Sequence, residues 1–205
     1  MSCENARFNI LFTMHNNTDR EEMTEDILNY YTDTLKFPAD QIFLVDSSGR
    51  GVKSITESNQ VTFDQNVHCS DFSTSTALES CSLNKVSEND EVVNRMSKQD
   101  YTVKLTTKYK LPDLCSIVHK GMNKDTNMLV QNNHHNGMQN TEVWGVKSTE
   151  FVNTVRDIDE NVHGKLLMEE RFNEMCANTK RCHRLKRLPN IARYKRGAGD
   201  ILTEL

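Results

Sequence analysis

The stretch from residue 7 to residue 46 constrains the fold of this chain more than any other. The apolar run 7–14 is typical of a buried strand, and 41–46 is a second such run. Between them, the capping box Thr18-Asp19-Arg20-Glu21 predicts the start of a helix, and Pro38 ends it. A crossover of this length predicts a parallel strand pair, and therefore an α/β fold.

Polar residues follow both predicted strands at the point where each strand ends. His15, Asn16 and Arg20 follow the first strand, and Asp46-Ser47-Ser48-Gly49 closes the second. Because ligands of open α/β sheets bind at the carboxyl ends of parallel strands, these residues are the leading site candidates. Asp46 and the serines could bind a ribose or a base, and Arg20 a phosphate. The alternative for Asp46 is an ordinary Asx turn.

The rest of the chain continues the alternation of strands and helices. Strands are predicted at 60–63, 101–109, 127–131 and 141–146, and helices at about 76–95, 149–159 and 164–182. The alternating run 101–109 predicts one core face and one cationic face, which carries Lys104 and Lys108. Both lysines would then point to the same side and could neutralise a diphosphate. The alternative is a solvated sheet face.

Composition is that of a globular protein, and we expect one domain over residues 1–205. No apolar run is long enough to cross a bilayer, and the first residues lack the features of a signal peptide. The six cysteines are scattered without a C-x-x-C pair, so we expect reduced thiols rather than a disulfide framework. These features predict a cytoplasmic protein without a membrane span.

The segment 180–196 is strongly basic, with eight Lys or Arg residues and no Asp or Glu. Its last part, which includes Arg193 and Arg196, adjoins Gly197 and Gly199 and could close over phosphates. The alternative is nucleic-acid binding, which a basic segment favours. A net charge of -4 and the lack of a known nucleic-acid motif disfavour that alternative.

One group of residues could hold a metal ion or transfer a proton, and a second group has only the spelling of a metal motif. His134, His135 and Glu142 supply the imidazole and carboxylate groups that such chemistry uses. The Asp-x-Asp motif at Asp157 and Asp159 falls in a helical pattern, where residues two apart point about 200° apart. Those two carboxylates should therefore not share one ion.

Several segments together resemble the glycosyltransferases with the A-type fold, most of all the chlorella-virus enzymes implicated in glycosylating the capsid protein. The segments are 10–20, 42–48, 101–109, 140–145 and 193–197. The resemblance implies one Rossmann-like domain, with a central mixed sheet of about six strands flanked by helices. It also implies a UDP-sugar donor of glucose or deoxyhexose type, Mn²⁺ or Mg²⁺ on the diphosphate, and a glycan or protein-linked acceptor in the host cytoplasm.

The resemblance also assigns residues to the uridine half of the donor. These are Thr13, His15, Asn16, Arg20, Asp46, Ser47 and Ser48.

The chain departs from this family at the metal-binding Asp-x-Asp, which is replaced by Thr106-Thr107-Lys108. Either other groups hold the metal, with Asp71, His134, His135 and Glu142 as candidates, or basic side chains replace it. The candidates for that replacement are Lys104, Lys108 and Arg196. We also expect Glu142 to act near the acceptor or the anomeric carbon. A nucleotide-dependent transferase of another class, such as a nucleotidyltransferase, stays open.

Overall fold

The structure is a computed structural model that describes residues 3–15, 20–72, 74–123, 125–131, 141–163, 168–178, 181–185, 192–194 and 201–202. The strands of this part are β1 (Phe8–Met14), β2 (Ile42–Asp46), β3 (Gln60–Thr62), β4 (Tyr101–Thr106), β5 (Tyr109–Lys110), β6 (Met128–Gln131), β7 (Val143–Lys147), β8 (Cys182–Leu185), β9 (Ala192–Tyr194) and β10 (Ile201–Leu202). The helices are α1 (Glu21–Asn29), α2 (Gln65–His68), α3 (Ser75–Ser87), α4 (Asp90–Met96), α5 (Leu114–Gly121), α6 (Phe151–His163) and α7 (Met168–Asn178).

The central sheet of the described chain has seven strands in the order β3-β2-β1-β4-β7-β6-β8. The first four strands run parallel, and β7 runs antiparallel to both of its neighbours. The predicted mixed α/β sheet and the parallel pairing of β1 with β2 are therefore confirmed. One strand exceeds the expected six, because β8 forms in the basic segment 180–196 and pairs with β6. A smaller antiparallel sheet joins β10, β9 and β5.

Strand β4 lies at the centre of the large sheet and is buried on both faces. Lys104 and Thr102, which were expected on a cationic face, are each 0% exposed. The predicted cationic face is thus a buried face at Lys104, and the alternative of a solvated face is wrong there, because helices cover both sides of this sheet. The strand also ends at Thr106, not at Tyr109, so Lys108 lies in the turn that leads to β5.

The predicted helix 76–95 consists of two helices. Helix α3 begins one residue before the predicted start, after Thr74, whose side chain accepts a hydrogen bond from the backbone of Ala77. Asn89 interrupts the helical stretch and caps α4 by accepting from the backbone of Val92. Asparagine favours such caps because its side chain competes with the helical backbone for hydrogen bonds.

All six cysteines are paired, so the prediction of reduced thiols is wrong. The pairs are Cys3–Cys115, Cys69–Cys81 and Cys176–Cys182. Their Cα atoms lie 5.9, 6.2 and 5.3 Å apart, within the usual range for disulfides. Partners as far apart in sequence as 112 residues leave no local motif, and only the folded chain brings them together.

The disulfides give the first testable prediction. A thiol-alkylating reagent should label none of the six cysteines of the native protein before reduction, and all of them after reduction and unfolding. The variant Cys3→Ser/Cys115→Ser opens the longest loop, so we expect its free energy of unfolding in urea to fall by about 2–4 kcal/mol. The matched variant Cys176→Ser/Cys182→Ser, which opens a short loop, should lose less. Six labelled thiols in the native protein would contradict this account.

Candidate functional site

A cavity of about 330 Å³ lies at the edge of the central sheet where β1, β2 and β4 end. Its size lies within the range of small-molecule sites. The residues that line it are Thr13, Met14, His15, Arg20, Ser47, Gln65, Ser75, Leu78, Glu79, Ser82, Thr106, Thr107 and Lys108. The parallel register sets Thr13 beside Thr106 on one side and beside Val45 on the other, so the loops after these strands meet at one place.

Two other depressions are larger. One of about 750 Å³ lies at the opposite edge, beside Arg7, Asp100 and Lys147, and one of about 630 Å³ lies beside Arg50 and Gln60. Neither includes the carboxyl ends of β1 and β4, where open α/β sheets bind their ligands. We therefore assign the candidate site to the smaller cavity.

One face of helix α3 forms a wall of this cavity. Ser75, Glu79 and Ser82 lie three or four positions apart, so they share one helical face. The disulfide between Cys69 and Cys81 ties this helix to the residue that follows α2. Helix α2 supplies Gln65 to the same cavity. Two walls of the site are thus covalently linked.

A buried ion pair joins the floor of the cavity to this wall. The ammonium of Lys104, which is 0% exposed, contacts Oε1 of Glu79, which is 22% exposed. The same ammonium donates to the carbonyl of Thr141 at 3.0 Å, and the hydroxyl of Thr13 donates to the same Oε1 at 3.0 Å. Burying a lysine costs several kcal/mol unless its charge is paired and hydrogen bonded, so Lys104 depends on Glu79.

A second hydrogen-bond network fixes His15. Its Nδ1 lies 3.0 Å from Oγ of Ser47. That hydroxyl also lies 3.3 Å from the carbonyl of Met14 and 3.1 Å from Oε1 of Gln65. Two acceptors thus compete for the one proton of the hydroxyl, which favours the His15 tautomer that donates from Nδ1. The other ring nitrogen, Nε2, is then an acceptor.

Asp46 builds the loop after β2 and does not line the cavity. It is fully buried and accepts hydrogen bonds from the backbone and the hydroxyl of Ser48, at 3.0 and 2.7 Å, and from the backbone of Gly51 at 2.8 Å. Gly49 and Gly51 have φ angles of 76° and 69°, which glycine adopts without strain. The arrangement is that of the Asx turn considered as the alternative.

Two basic side chains line the cavity, namely Arg20 before α1 and Lys108 in the turn after β4. The guanidinium of Arg20 donates to the carbonyl of His15 at 3.5 Å. The strand that follows Lys108 is held by Tyr31, whose hydroxyl donates to the carbonyl of Tyr109 at 3.0 Å. Burial raises the pKa of Tyr31 above its ordinary value, so this hydroxyl keeps its proton.

The basic segment returns to this edge of the sheet. The backbone of Arg193 in β9 pairs with Tyr109 in β5. Strand β9 of the basic segment therefore lies beside the strand that follows the Lys108 turn.

The predicted site residues are only partly brought together. Thr13, His15, Arg20, Ser47 and Lys108 line the cavity; Asp46, Ser48, Asp71, Lys104 and Glu142 do not. Asn16, His134, His135 and Arg196 lie outside the described residues. Glu142 directly precedes Val143, which pairs with Leu105 near the end of β4.

Sequence reasoning missed Glu79 and Gln65. Two signals for Glu79 were available in the sequence. One is a lysine inside an apolar strand, and the other is the helical spacing of polar residues in 75–82.

The residues of the cavity do not fit Mn²⁺ or Mg²⁺. Such ions need several oxygen ligands, usually with carboxylates among them. Among the described lining residues only Glu79 carries a carboxylate, and its Oε1 contacts Lys104. Within the described ranges, no three His, Cys, Asp or Glu residues cluster as metal ligands would.

The Asp-x-Asp motif in α6 does not supply a metal site either. Asp157 pairs with Arg171, and Asp159 accepts from Ser80. The two carboxylates therefore have different partners, as their helical spacing predicts.

The ion pair predicts an asymmetric response to mutation. Glu79→Ala leaves the charge of Lys104 buried and unpaired, so we expect it to lower the free energy of unfolding by about 3–5 kcal/mol. Lys104→Met should lower it by less than half as much, because Glu79 is partly exposed and can be hydrated from the cavity. Urea unfolding of both single variants and of Glu79→Gln/Lys104→Met measures the difference. Equal losses in the two single variants would contradict the pairing.

Comparison with known proteins gives similarity in structure but not in sequence. No protein-family profile matches the chain, and no curated protein matches its sequence. In the part of the chain that the structure describes, no helix is long and apolar enough to cross a membrane.

The structural neighbours are glycosyltransferases. A glycosyltransferase involved in the glycosylation of the major capsid of PBCV-1 has a TM-score of 0.52 and 8% identity, over 87% of this chain and 82% of that one. The galactosyltransferase LgtC, in complex with donor and acceptor sugar analogues, has a TM-score of 0.49 and 11% identity, over 85% and 72% of the two chains. An active-site mutant of LgtC gives 0.49 and 12%, over 85% and 71%. The predicted resemblance is confirmed for the fold, and the chain has the α/β fold of the A-type glycosyltransferases.

Proposed function

We propose that the chain is a glycosyltransferase that moves a sugar from a UDP-sugar to a hydroxyl of a glycan or protein-linked acceptor. The observation that carries this proposal is the cavity at the carboxyl ends of β1, β2 and β4, where Arg20 and Lys108 meet polar side chains. A cavity with two cations at this edge suits the phosphates of a nucleotide. The fold shared with the PBCV-1 capsid glycosyltransferase supports sugar transfer as the reaction class.

In this reaction the bond between the anomeric carbon and the diphosphate oxygen breaks, and its electron pair leaves with the diphosphate. The acceptor oxygen bonds to the anomeric carbon and releases its proton to water or to the departing diphosphate. Negative charge develops on the departing diphosphate, where fixed positive groups lower the barrier. We assign this role to Arg20 and Lys108. Lys104 is left out because it is buried and paired with Glu79.

The uridine half of the donor is assigned to Thr13, His15 and Ser47. The Nε2 acceptor of His15 suits the N3–H donor of uracil, a group that cytosine lacks. Asp46 and Ser48 act indirectly in this proposal, since they shape the loop that presents Ser47. Glu142, which lies beside the end of β4, stays a predicted contact of the acceptor or the anomeric carbon.

We propose that the basic side chains of the cavity, rather than a divalent cation, meet the charge of the diphosphate. The support is the donor set of the cavity, which does not fit Mn²⁺ or Mg²⁺. The alternative, a metal held by Asp71, His134, His135 and Glu142, stays a prediction. It predicts that nucleotide binding is lost in a chelator such as EDTA.

The three disulfides bear on where the protein works. Disulfides persist in oxidising environments and are rare in the cytosol. We therefore propose an oxidising compartment in place of the predicted cytoplasmic location. The role in viral capsid glycosylation, which the sequence resemblance implies, stays a prediction.

Calorimetric titration tests the nucleotide assignment. UDP and UDP-glucose should bind the full chain in EDTA about as well as with Mn²⁺. CDP should bind more weakly, since its base cannot donate from N3 to His15. No binding of UDP or any UDP-sugar under either condition would overturn the proposed function. Binding that disappears in EDTA would overturn the metal-free part of it.

Charge removal tests the two cations. Lys108→Met and Arg20→Met should each weaken UDP binding roughly 10- to 100-fold, since a hydrogen bond to a charged group contributes about 1.5–3 kcal/mol. Uridine, which lacks phosphates, should bind all variants equally. Lys85→Met, a lysine that pairs with Glu88 outside the cavity, is the matched control and should behave as the wild type. Equal losses for UDP and uridine would contradict the assignment.

A further inference from the structure

We propose that Glu79 binds a sugar-ring hydroxyl of the ligand through Oε2. This inference rests on the proposed function and adds a specificity-determining residue to the same cavity. The sugar ring is either the ribose of the nucleotide or the transferred hexose, which share the chemistry of a hydroxyl donor.

The first support is the state of the carboxylate itself. Both contacts of Glu79, from the ammonium of Lys104 and the hydroxyl of Thr13, fall on Oε1. No described residue donates to Oε2. The side chain is 22% exposed, and Glu79 lines the cavity. A carboxylate oxygen accepts hydrogen bonds only, so this atom is suited to a ligand that donates.

The second support is the buried ammonium of Lys104, which holds the carboxylate in place. Lys104 is removed from water altogether, at a cost of several kcal/mol that an apolar residue in the same strand would avoid. Its ammonium is fixed by the carbonyl of Thr141 on one side and by Glu79 on the other. The pair therefore fixes the carboxylate at the cavity wall, and the disulfide at Cys81 secures the same helix.

The third support is the distribution of charge around the cavity. Arg20 and Lys108 favour phosphates, whereas a carboxylate repels them. Glu79 therefore selects a neutral part of the ligand that carries hydrogen-bond donors, which in a nucleotide sugar means the hydroxyls. Ser75 and Ser82, on the same face of α3, add hydroxyl groups beside it. The lining of the cavity thus includes groups suited to the charged and to the neutral parts of the ligand.

The ion pair of Glu79 with Lys104 could also have a purely structural role. Ligands that lack one hydroxyl distinguish that role from binding of a hydroxyl by Glu79. Calorimetry measures the Kd of UDP, 2′-deoxy-UDP and 3′-deoxy-UDP for the ribose, and of UDP-glucose and its 2-, 3- and 4-deoxy forms for the hexose. Each ligand is titrated into the wild type and into Glu79→Gln. Glu88→Gln changes the carboxylate that directly follows α3, pairs with Lys85 and does not line the cavity, and it is the matched control.

We expect one hydroxyl whose removal weakens binding to the wild type and to Glu88→Gln by roughly tenfold or more, as for a hydrogen bond to a charged group. The same removal should change binding to Glu79→Gln by much less. The set of ligands that responds tells whether the ribose or the hexose is bound. If Glu79→Gln does not fold, Glu79→Gln/Lys104→Met removes both charges and takes its place.

The outcomes separate this inference from the proposed function. A wild type that binds neither UDP nor UDP-sugars overturns both. A wild type that binds them with the same Kd for every deoxy form overturns the role of Glu79 alone. Equal losses in the wild type and in Glu79→Gln on removal of the sensitive hydroxyl also overturn it, because the hydroxyl then contacts another residue.

Discussion

The site depends on one buried ion pair, between Lys104 in the central strand and Glu79 on the helix that covers it. A lysine in the middle of a sheet that is buried on both faces is tolerated only if its charge is met there. The pair therefore fixes helix α3 against the ends of β1 and β4, and it sets a carboxylate at the wall of the cavity. The position of that wall is therefore set by a residue in the core of the sheet, Lys104.

The rest of the site follows from topology. Parallel pairing of β1 with β2 and with β4 brings three loops to one edge of the sheet. The loop after β2 is shaped by Asp46, the turn after β4 is anchored by Tyr31, and α3 is tied down by the disulfide at Cys81. Each of these supports lies outside the cavity, so the lining residues other than Glu79 can be polar without being needed for stability. The result is a cavity that two cations and a carboxylate line together.

Local pattern predicted the start of the fold well, because the β1-α1-β2 unit is encoded by neighbouring residues. Long-range partners were missed for the same reason. Nothing near Lys104 in sequence shows that Glu79 meets it, and nothing near Cys3 shows that Cys115 lies beside it. Asp46 was assigned to a ligand because its position after a strand fits one, whereas its carboxylate accepts three hydrogen bonds from Ser48 and Gly51 within the loop. Burial on both faces, which turned Lys104 from a phosphate contact into a core residue, depends on helices elsewhere in the chain.

A structure of the full chain with UDP bound in EDTA tests the central claim most directly, that this cavity holds the diphosphate with its own basic side chains. The account predicts the diphosphate within hydrogen-bond distance of Arg20 and Lys108, the uracil beside His15, and a sugar hydroxyl of the ligand facing Glu79. A nucleotide bound at another depression, such as the one beside Arg7 and Lys147, or a diphosphate out of reach of both cations, would contradict it.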